Sequence, residues 1–466
     1  MIRIERFDEI SLLGVRVIDP LMRLDAVADV VVRRGVIETV TPVHTAEVHR
    51  RSAQEELNSE VSDSGGEAEA RSSCLKINAR GLILCPGLAD IHVHLREPGF
   101  EHKETIGTGC RAAAAGGFTF VAPMPNTKPA VDSIEGVRYA LDRAAQEDAC
   151  EVGPIAAITV GREGRVPADF ASLLTAGAVA FSDDGVGVED DAVMADAFRR
   201  ARDVGAVLIQ HCEYRALSAG GVLHKGAVAA RRGWPGLDLR SEDAMIERDL
   251  RLCRGIRARY HVAHLSTATG VELVRRAKED GLPVTAEVTP HHLLLTDEAC
   301  DTGDTNAKMH PPLRTAADVE ACRRGLLDGT IDCVATDHAP HTAEEKARGM
   351  LQAPPGLIGL ETAVPLVARA MIETGLADWT ALIRWFTEGP MRVLGRRLHA
   401  VAPRQPANLT LLDPAATWKV EPTALHSRSF NTPFLGWWLT GRAVLTIVGR
   451  RVARRTEAPA EGPRGK

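Results

Sequence analysis

Between residues 86 and 396, short apolar runs that end in polar residues alternate with longer amphipathic segments. The eight apolar runs read LADIHVHL, FTFVAPMPN, EVGPIAAITV, AVAFSDDG, AVLIQHCE, YHVAHLST, PVTAEVTPHH and IDCVATDHAPH. Segments between them, such as GVELVRRAKEDG (270–281) and DVEACRRGLLDG (318–329), carry apolar residues at helical spacing and end in glycine. Eight strand–helix units over about 300 residues predict an α/β fold of the (β/α)8 barrel type rather than a doubly wound sheet.

The two ends of the chain follow a different pattern. Residues 1–43 and 397–452 contain strand-like pieces, such as ADVVVRRG and AVLTIVGRRV, separated by turn residues. We expect them to pair in one small β-sheet domain beside the barrel, with residues 77–85 as a return strand. Residues 44–76 are polar and poor in large apolar side chains, which predicts a mobile insertion, and residues 453–466 are predicted to be a disordered tail.

Composition and charge narrow the class of protein. Hydrophobic residues make up 45% and charged residues 25% of the chain, as in ordinary globular proteins. The formal net charge is −6 and no basic block stands out, so neither nucleic acid nor a membrane surface is expected as a partner. The first residues do not form a signal peptide, and no apolar run reaches the ~18 residues of a membrane span. Nine cysteines without a CxxC pair indicate free thiols and a cytoplasmic protein.

Histidine and aspartate residues follow the apolar part of several predicted strands. His92 and His94 are separated by one residue, so on a strand both side chains leave the same face. His211, His264 and Asp337 end the fifth, sixth and eighth apolar runs. Since the C-terminal ends of barrel strands meet at one mouth, we expect these side chains to converge. Imidazole and carboxylate ligands suit zinc or a similar divalent ion.

This pattern resembles the metal-binding pattern of the amidohydrolase superfamily, and longer motifs narrow the resemblance. HVHLREPG (92–99), MPNT (124–127), PPLR (311–314), TDHAPH (336–341) and NTPF (431–434) are similar to signatures of class I dihydroorotases. The combination of HVHLREPG with TDHAPH is specific, whereas an HxH motif by itself is not. The resemblance covers nearly the whole chain outside the polar insertion and the tail.

The residue that bridges the metals separates the subfamilies. Many binuclear relatives, including hydantoinases and allantoinases, use a carboxylated lysine from strand four. No lysine occurs between Lys128 and Lys225, the interval that contains the fourth apolar run, so this bridge is excluded by the sequence. That run ends in Asp183 and Asp184, and a carboxylate can bridge two cations directly. The resemblance assigns the bridge to Asp184, and we interpret Asp183 as a neighbouring structural acid.

The resemblance implies two Zn²⁺ ions per chain, bridged by Asp184 and a hydroxide. The implied ligands are His92, His94 and Asp337 for one ion and His211 and His264 for the other. In the hydrolytic direction the hydroxide would be the nucleophile, and Asp337 would be the catalytic residue that passes its proton to the departing ring nitrogen. The implied reaction is the reversible cyclisation of N-carbamoyl-L-aspartate to L-dihydroorotate and water, in de novo pyrimidine (UMP) biosynthesis.

The carboxylate of such a substrate must be recognised apart from the scissile amide. Arg96 lies two residues after His94 and shares its strand-end direction, and a guanidinium binds a carboxylate through two N–H groups. The residues expected to contact the substrate are His94, Arg96, Asn126, His310, His341, Pro355 and Gly356. At position 310 the family usually has asparagine, and the histidine found here can also donate a hydrogen bond but is larger and can titrate.

Several other histidines are interpreted as structural. His261 lies three residues before His264 and is expected to face the other way and pack in the core. His338 follows Asp337 and should point away from the metals, and the pair His291 and His292 is likewise assigned to structure.

Two alternatives to an active dihydroorotase remain at this stage. The first is another cyclic amidase of the hydantoinase or allantoinase type, against which the missing lysine and the pair of Arg96 and Asn126 argue. The second is a non-catalytic homologue that acts as a structural partner of aspartate transcarbamoylase, against which the complete set of metal ligands argues. The resemblance also implies a homodimer and, for some relatives, a complex with aspartate transcarbamoylase. The sequence decides neither assembly.

Overall fold

The structure, a computed structural model, describes residues 2–43 and 74–455. The strands of the N-terminal part are β1 (Ile2–Arg6), β2 (Glu9–Asp19), β3 (Leu24–Arg33), β4 (Val36–Pro42), β5 (Cys74–Asn78) and β6 (Ile83–Pro86). The strands of the central part are β7 (Leu88–Val93), β8 (Phe118–Pro123), β9 (Glu151–Val152), β10 (Ile155–Ala156), β11 (Ala180–Ser182), β12 (Val207–Gln210), β13 (Leu223–His224), β14 (Gly236–Leu237), β15 (Arg259–Val262), β16 (Val284–Val288) and β17 (Cys333–Val334). The C-terminal strands are β18 (Asn408–Lys419), β19 (Trp438–Val448) and β20 (Arg451–Arg455).

The helices lie in the central part of the chain. They are α1 (Ile106–Gly116), α2 (Ile134–Glu147), α3 (Phe170–Ala176), α4 (Asp191–Val204), α5 (Arg215–Ser218), α6 (Ala227–Arg232), α7 (Arg240–Ile256), α8 (Ala268–Glu279), α9 (Ala316–Asp328), α10 (Ala343–Lys346), α11 (Gly349–Gln352), α12 (Ala363–Val367), α13 (Trp379–Phe386) and α14 (Glu388–Leu394). Short 3-10 turns lie at Val160–Arg162, Asp297–Thr302, Thr305–Ala307 and Pro422–Ala424, and a π-helical turn lies at Ala368–Ile372. Among the described residues, no helix combines the length and the apolar character that crossing a membrane requires.

The central strands close into a barrel. Strands β7, β8 and β9 form one parallel sheet, and β10, β11, β12, β15, β16 and β17 form another in that order. A parallel bridge between Val93 and His338 joins the first strand to the segment after the last. The run EVGPIAAITV, predicted as one strand, is divided: β9 pairs with β8 and β10 pairs with β11. Pro154 lies at the break, where it cannot donate a backbone hydrogen bond to a neighbouring strand.

Side chains on the barrel strands alternate between two hydrophobic clusters. Phe120 and Ile209 belong to a cluster built from alternate positions of the barrel strands, which fills the barrel. Val121 and Leu208, one residue away, belong to the larger cluster that includes helical residues such as Phe198. The eight strand–helix units read from the sequence are therefore confirmed as a (β/α)8 barrel, with one layer of core inside the strands and one between strands and helices.

Polar capping residues determine where two helices begin. The sequence predicted these helices over residues 270–281 and 318–329. The Thr267 side chain accepts from the N–H of Gly270, and α8 begins directly after it. Thr315 and Asp318 form a reciprocal capping box before α9. Both helices thus start two residues before the segments predicted from the sequence, because the capping residue determines where the helix begins.

Both ends of the chain interleave in one sheet. Within the described residues it has nine strands, in the order β1, β20, β19, β18, β6, β2, β3, β4, with β5 also paired to β2. Strand β18 is antiparallel to both β6 and β19, with Leu409 opposite Pro86 and opposite Ile447. The small β-sheet domain built from both termini is confirmed as part of the fold.

Three predicted boundaries in this sheet differ from the limits of the observed strands. The insertion predicted for residues 44–76 ends earlier, because alternating Leu75 and Ile77 place β5 against β2. The return strand predicted for residues 77–85 is two strands separated by a turn at Gly81, whose φ is +80°. The tail predicted from residue 453 begins later, since β20 pairs with both β1 and β19 through Arg455 and Arg454. The predicted mobility of residues 44–73 and disorder of residues 456–466 lie outside the described residues.

Candidate active site

Six histidine and aspartate side chains meet at the C-terminal rim of the barrel. They come from β7 and from the residues just after β7, β11, β12, β15 and β17, and they are His92, His94, Asp184, His211, His264 and Asp337. All six are buried, and Asp337, the most exposed of them, is 8% exposed. These are the six residues that the sequence predicted as metal ligands, and the structure brings all of them together.

Asp184 lies at the centre of this group. Its Oδ1 is 3.4 Å from His92 Nε2 and 3.6 Å from His211 Nδ1. Its Oδ2 is 3.6 Å from His94 Nε2 and accepts a hydrogen bond of 3.0 Å from Asn126 Nδ2. Burial disfavours the charged carboxylate, but His211 and His92 outweigh it and hold the pKa of Asp184 well below its usual range. Asp184 is thus an anion with histidines on both of its oxygens.

Asp337 faces two of the same histidines. Its Oδ1 lies 2.9 Å from His94 Nε2 and 3.6 Å from His92 Nε2. Burial raises the pKa of this carboxyl, but the hydrogen bond from His94 and the charge of His92 lower it more, so that the pKa falls below the usual range. Asp337 is therefore ionised at neutral pH and able to accept a proton.

The other two histidines contact each other, and both lie near Oδ1 of Asp184. His211 Nδ1 and His264 Nε2 are 2.8 Å apart, and His264 Nε2 is 3.9 Å from Asp184 Oδ1. Burial opposes the charged form of His211, yet Asp184 and Glu213 raise its pKa to about 10. Burial and the neighbouring His211 lower the pKa of His264 to about 3. The carboxylates around His211 thus favour positive charge at this position, which either a proton or a metal cation supplies.

Three residues at this rim have left-handed backbone conformations. The φ angles of Arg96, His264 and Asp337 are +62°, +32° and +48°. Such angles are unfavourable for residues with a β-carbon and are found where surrounding structure enforces them, often at functional sites. Here each of these residues follows the end of a barrel strand, and its side chain lines the cavity at the mouth of the barrel.

The donor atoms fit divalent metal ions. Single donor atoms of His92, His94 and Asp337 lie within 4.8 Å of one another, as do those of His92, Asp184 and His264. His92 Nε2 is buried and has no hydrogen-bond partner, although its Nδ1 is bonded to Glu287. A buried imidazole nitrogen without a hydrogen-bond partner, beside two carboxylates, fits the ligand set of a divalent cation such as zinc.

A cavity of about 210 Å³ opens above these ligands. Its lining contains all seven predicted substrate contacts, namely His94, Arg96, Asn126, His310, His341, Pro355 and Gly356. Arg96 Nε donates to Pro340 O at 3.2 Å, and its Nη2 lies 3.3 Å from His341 Nε2. Burial lowers the pKa of Arg96 to about 10, which leaves it a cation at neutral pH. The cavity therefore offers a fixed cation beside the donor cluster.

A side-chain clamp holds the loop that carries Pro355 and Gly356. Asn431 Nδ2 donates to the carbonyls of Gly356 and Ala339, both at 3.0 Å, and its Oδ1 accepts from the backbone N–H of His341. Lys346 Nζ donates to Gly356 O at 2.9 Å. The loop after β17 and the Pro355–Gly356 loop are thus fixed relative to each other.

Sequence reasoning missed four residues that support the site: Glu213, Glu287, Lys346 and Asn431. Glu213 lies 3.2 Å from His211 Nε2 and 2.9 Å from His310 Nε2. The position of Glu213 two residues after His211, at a strand end, could have identified it. Glu287 could have been identified as the one acidic residue in the apolar run VTAEV (284–288). Nothing local in the sequence marks Lys346, and the NTPF motif marked Asn431 without giving it a role, because the partners of both residues lie on other loops.

Three residues interpreted as structural, Asp183, His338 and His261, have structural partners. Asp183 accepts hydrogen bonds from the backbone N–H groups of Ile158 and Thr159 at 2.9 and 3.1 Å. His338 Nε2 lies 3.3 Å from Glu104, away from the donor cluster. His261 is fully buried and bonded on both ring nitrogens, although one of these bonds goes to Glu287, which also contacts the cluster.

Solved structures similar to this one have the same fold. The L-hydantoinase (dihydropyrimidinase) of Arthrobacter aurescens superposes with a TM-score of 0.80 and 23% sequence identity, covering 98% of both chains. A D-hydantoinase (dihydropyrimidinase) from a Thermus species gives a TM-score of 0.76 at 22% identity, covering 96% of this chain and 95% of that one. The fold is therefore the same barrel with a terminal β-sheet that these two enzymes have.

Sequence comparison gives the family of the chain. The family described as dihydro-orotase-like matches residues 81–269. A dihydroorotase of Brevibacillus brevis is 46% identical over 378 residues, or 81% of this chain and 89% of that one. A dihydroorotase of Syntrophus aciditrophicus is 40% identical over 444 residues, or 95% of this chain and 99% of that one. The chain belongs to the dihydroorotase family and is a cyclic amide hydrolase.

Proposed function

We propose that the chain catalyses the reversible cyclisation of N-carbamoyl-L-aspartate to L-dihydroorotate at the six-residue cluster, with two Zn²⁺ ions bound there. The observation that carries the proposal is the position of Asp184, whose carboxylate lies within 3.6 Å of His92 and His94, from one proposed ligand set, and of His211, from the other. Asp184 would therefore serve both ions, with His92, His94 and Asp337 as the other residues that would hold the first ion. His211 and His264 would hold the second.

When bound, the ions supply Lewis-acid polarisation of the scissile carbonyl and lower the pKa of a nearby water. The chain itself handles the proton. Asp337, ionised because His94 and His92 outweigh its burial, accepts a proton from the attacking water and delivers it to the ring nitrogen as the C–N bond breaks. In the direction of ring closure the same carboxyl takes the proton from the nitrogen and returns it to the departing water.

Side chains above the cluster orient the substrate. Arg96 presents a guanidinium to the substrate carboxylate, and its bond to Pro340 O fixes the plane of that group. Asn126, which is bonded to both Asp184 and His94, sets the distance between the carboxylate pocket and the proposed metals. His310 takes the place of a neutral amide and is oriented by Glu213 at 2.9 Å.

The finer assignments of this proposal are zinc as the ion, a role in pyrimidine biosynthesis and a cytoplasmic location. They are supported by the histidine-rich donor set, by the family and by the nine cysteines, all of which are free. A homodimer and a complex with aspartate transcarbamoylase stay predictions, to be checked by light scattering of the chain with and without that enzyme.

The central test pairs metal analysis with activity in one preparation. We expect about two zinc ions per chain and chelator-sensitive hydrolysis of L-dihydroorotate, followed by ultraviolet absorbance. Asp184→Asn should lower both the zinc content and turnover. Asp183→Asn is the matched control, because this adjacent buried carboxylate bonds the backbone of Ile158 and Thr159 instead of the cluster and should leave the zinc content unchanged.

Two results would contradict the proposal. Zinc without hydrolysis of dihydroorotate, but with hydrolysis of a hydantoin or of allantoin, would assign the site to another cyclic amide. A chain that binds no zinc and turns over no substrate after zinc is added would favour the non-catalytic alternative.

A further inference from the structure

A carboxylate lies below the proposed metal site, inside the barrel. Glu287 is on β16, between Ala286 and Val288, and is 0% exposed. Burying a carboxylate without partners is strongly unfavourable, so a charged residue in an apolar strand needs hydrogen-bond partners that stabilise it.

Glu287 binds the segments that carry two of the proposed ligands. Its Oε1 is 2.6 Å from His92 Nδ1 and accepts from the backbone N–H of His264 at 3.2 Å. Its Oε2 lies 3.2 Å from Nε2 of His261, whose other ring nitrogen is bonded to Thr285 Oγ1 at 2.8 Å. Both oxygens are therefore used, and the carboxylate is held from two sides.

We infer that Glu287 is a positioning residue of the metal centre, which fixes the ring of His92 and the backbone of His264. This inference rests on the proposed function. An ionised carboxylate accepts hydrogen bonds and donates none, so His92 must carry its proton on Nδ1. The lone pair is then on Nε2, the buried atom without a hydrogen-bond partner that faces Asp184 and Asp337.

The negative charge matters as well as the geometry. A carboxylate hydrogen-bonded to a ligating imidazole makes that imidazole a better donor to a metal, and removal of such partners typically weakens metal binding by about 10–100-fold. An amide at position 287 could still accept from Nδ1, but it would supply no charge and its NH₂ group could turn toward the ring.

The chain offers a matched control in Glu104. This glutamate is also 0% exposed and also contacts a histidine, with Oε2 3.3 Å from His338 Nε2. His338 is not one of the proposed ligands. Glu104→Gln therefore removes a buried carboxylate from a histidine without touching the ligand set.

The test is a Co²⁺ titration of the full metal-free chain, in competition with a chromophoric chelator and followed also by the d–d absorption of bound cobalt. We expect Glu287→Gln to weaken Co²⁺ binding about 10–100-fold and to alter the absorption spectrum. Glu104→Gln should bind Co²⁺ like the wild type. Urea unfolding of both metal-free variants measures how much stability is lost when a buried carboxylate is replaced by an amide. If Glu287 had a purely structural role, Glu287→Gln would lower stability but would bind Co²⁺ as tightly as Glu104→Gln does.

The outcomes separate this inference from the proposed function. If the wild type takes up no Co²⁺, the metal centre and the role of Glu287 both fall. If the wild type binds Co²⁺ and folded Glu287→Gln binds it equally tightly, only the role of Glu287 is overturned. Should Glu287→Gln not fold, Glu287→Asp replaces it: the shorter carboxylate keeps the charge but not the reach to His92, and unchanged Co²⁺ affinity in that variant would overturn the inference.

Discussion

Arg96 is the permanent cation among the described residues that line the cavity above the donor cluster. Arg96 is half-buried, and its guanidinium is bonded to Pro340 O and lies beside His341 Nε2, so the plane of the group is set before any substrate arrives. A group held in this way loses little conformational entropy when it binds a carboxylate. At the scale of single residues, the fit of a carboxylate substrate depends on this guanidinium.

The first prediction concerns that fit. Arg96→Lys keeps the charge but loses the two parallel N–H groups, and we expect KM for dihydroorotate to rise about 10-fold or more with a smaller change in kcat. Steady-state kinetics on zinc-loaded protein would measure this. An unchanged KM would show that the substrate carboxylate binds elsewhere.

A second prediction concerns the buried amine of Lys346. Burial, with a contribution from Lys308, lowers the pKa of Lys346 to about 7, whereas in the unfolded chain it is ~10.4. Between these values the unfolded chain binds a proton that the folded chain does not, so this group makes folding more favourable as pH rises. From pH 7 to pH 9 the free energy of unfolding of the wild type should increase by about 2 kcal/mol relative to Lys346→Met. Parallel urea-unfolding curves for the two proteins across this range would contradict the prediction.

At the scale of elements, short connections after the barrel strands place the site. The Pro355–Gly356 loop reaches the cavity because Asn431 and Lys346 bond its carbonyl. Gly356 has a φ of +123°, and a β-carbon added there would lie 2.7 Å from the Ala339 β-carbon. Only glycine allows the two loops to approach this closely.

The third prediction follows from that approach. Gly356→Ala should push the two loops apart and reduce kcat/KM by about 10-fold or more, since small displacements of positioning groups have large kinetic effects. Gly349→Ala is the control, because Gly349 also has a positive φ, +75°, but an added β-carbon would meet nothing within 4 Å. Equal losses in both variants would indicate backbone strain instead of displacement of the loop.

At the scale of the whole molecule, the terminal sheet is fastened to the barrel by buried hydroxyl groups. Thr410 on β18 donates to Gly117 O at 2.6 Å and accepts from the Leu88 N–H at 3.3 Å. Thr446 on β19 donates to Ala114 O at 2.7 Å. These bonds join the sheet to the first barrel strand, β7, which carries His92, and to the end of α1.

The fourth prediction tests this connection. Thr410→Val keeps the shape of the side chain but leaves a buried carbonyl and a buried N–H without a partner, so the free energy of unfolding should fall by about 1–3 kcal/mol. Thr440→Val, at an exposed position of β19, should change it little. Urea unfolding monitored by circular dichroism measures both, and equal stabilities would show that the sheet and the barrel are held by apolar packing alone.

Much of the fold could be predicted because it is repeated locally. Each barrel unit has its own apolar run, and caps such as Thr267 and Thr315 lie beside the helices they begin. Boundaries were wrong where pairing with a distant strand decided them. The register of Leu75 opposite Ile10 and of Arg455 opposite Ile2 depends on residues far away in the sequence, and no local pattern encodes it.

The sequence by itself determined the barrel, the polar strand ends and the absence of a lysine between residues 128 and 225, because periodicity and residue identity need no partner. Only the tertiary structure decided which groups act on one another. Glu287 contacts His92 across 195 residues of chain, and Asn431 reaches Gly356 across 75. Hydrogen bonds and charge–charge interactions depend on distance in space, and that distance is set when the barrel closes and the terminal sheet packs against it.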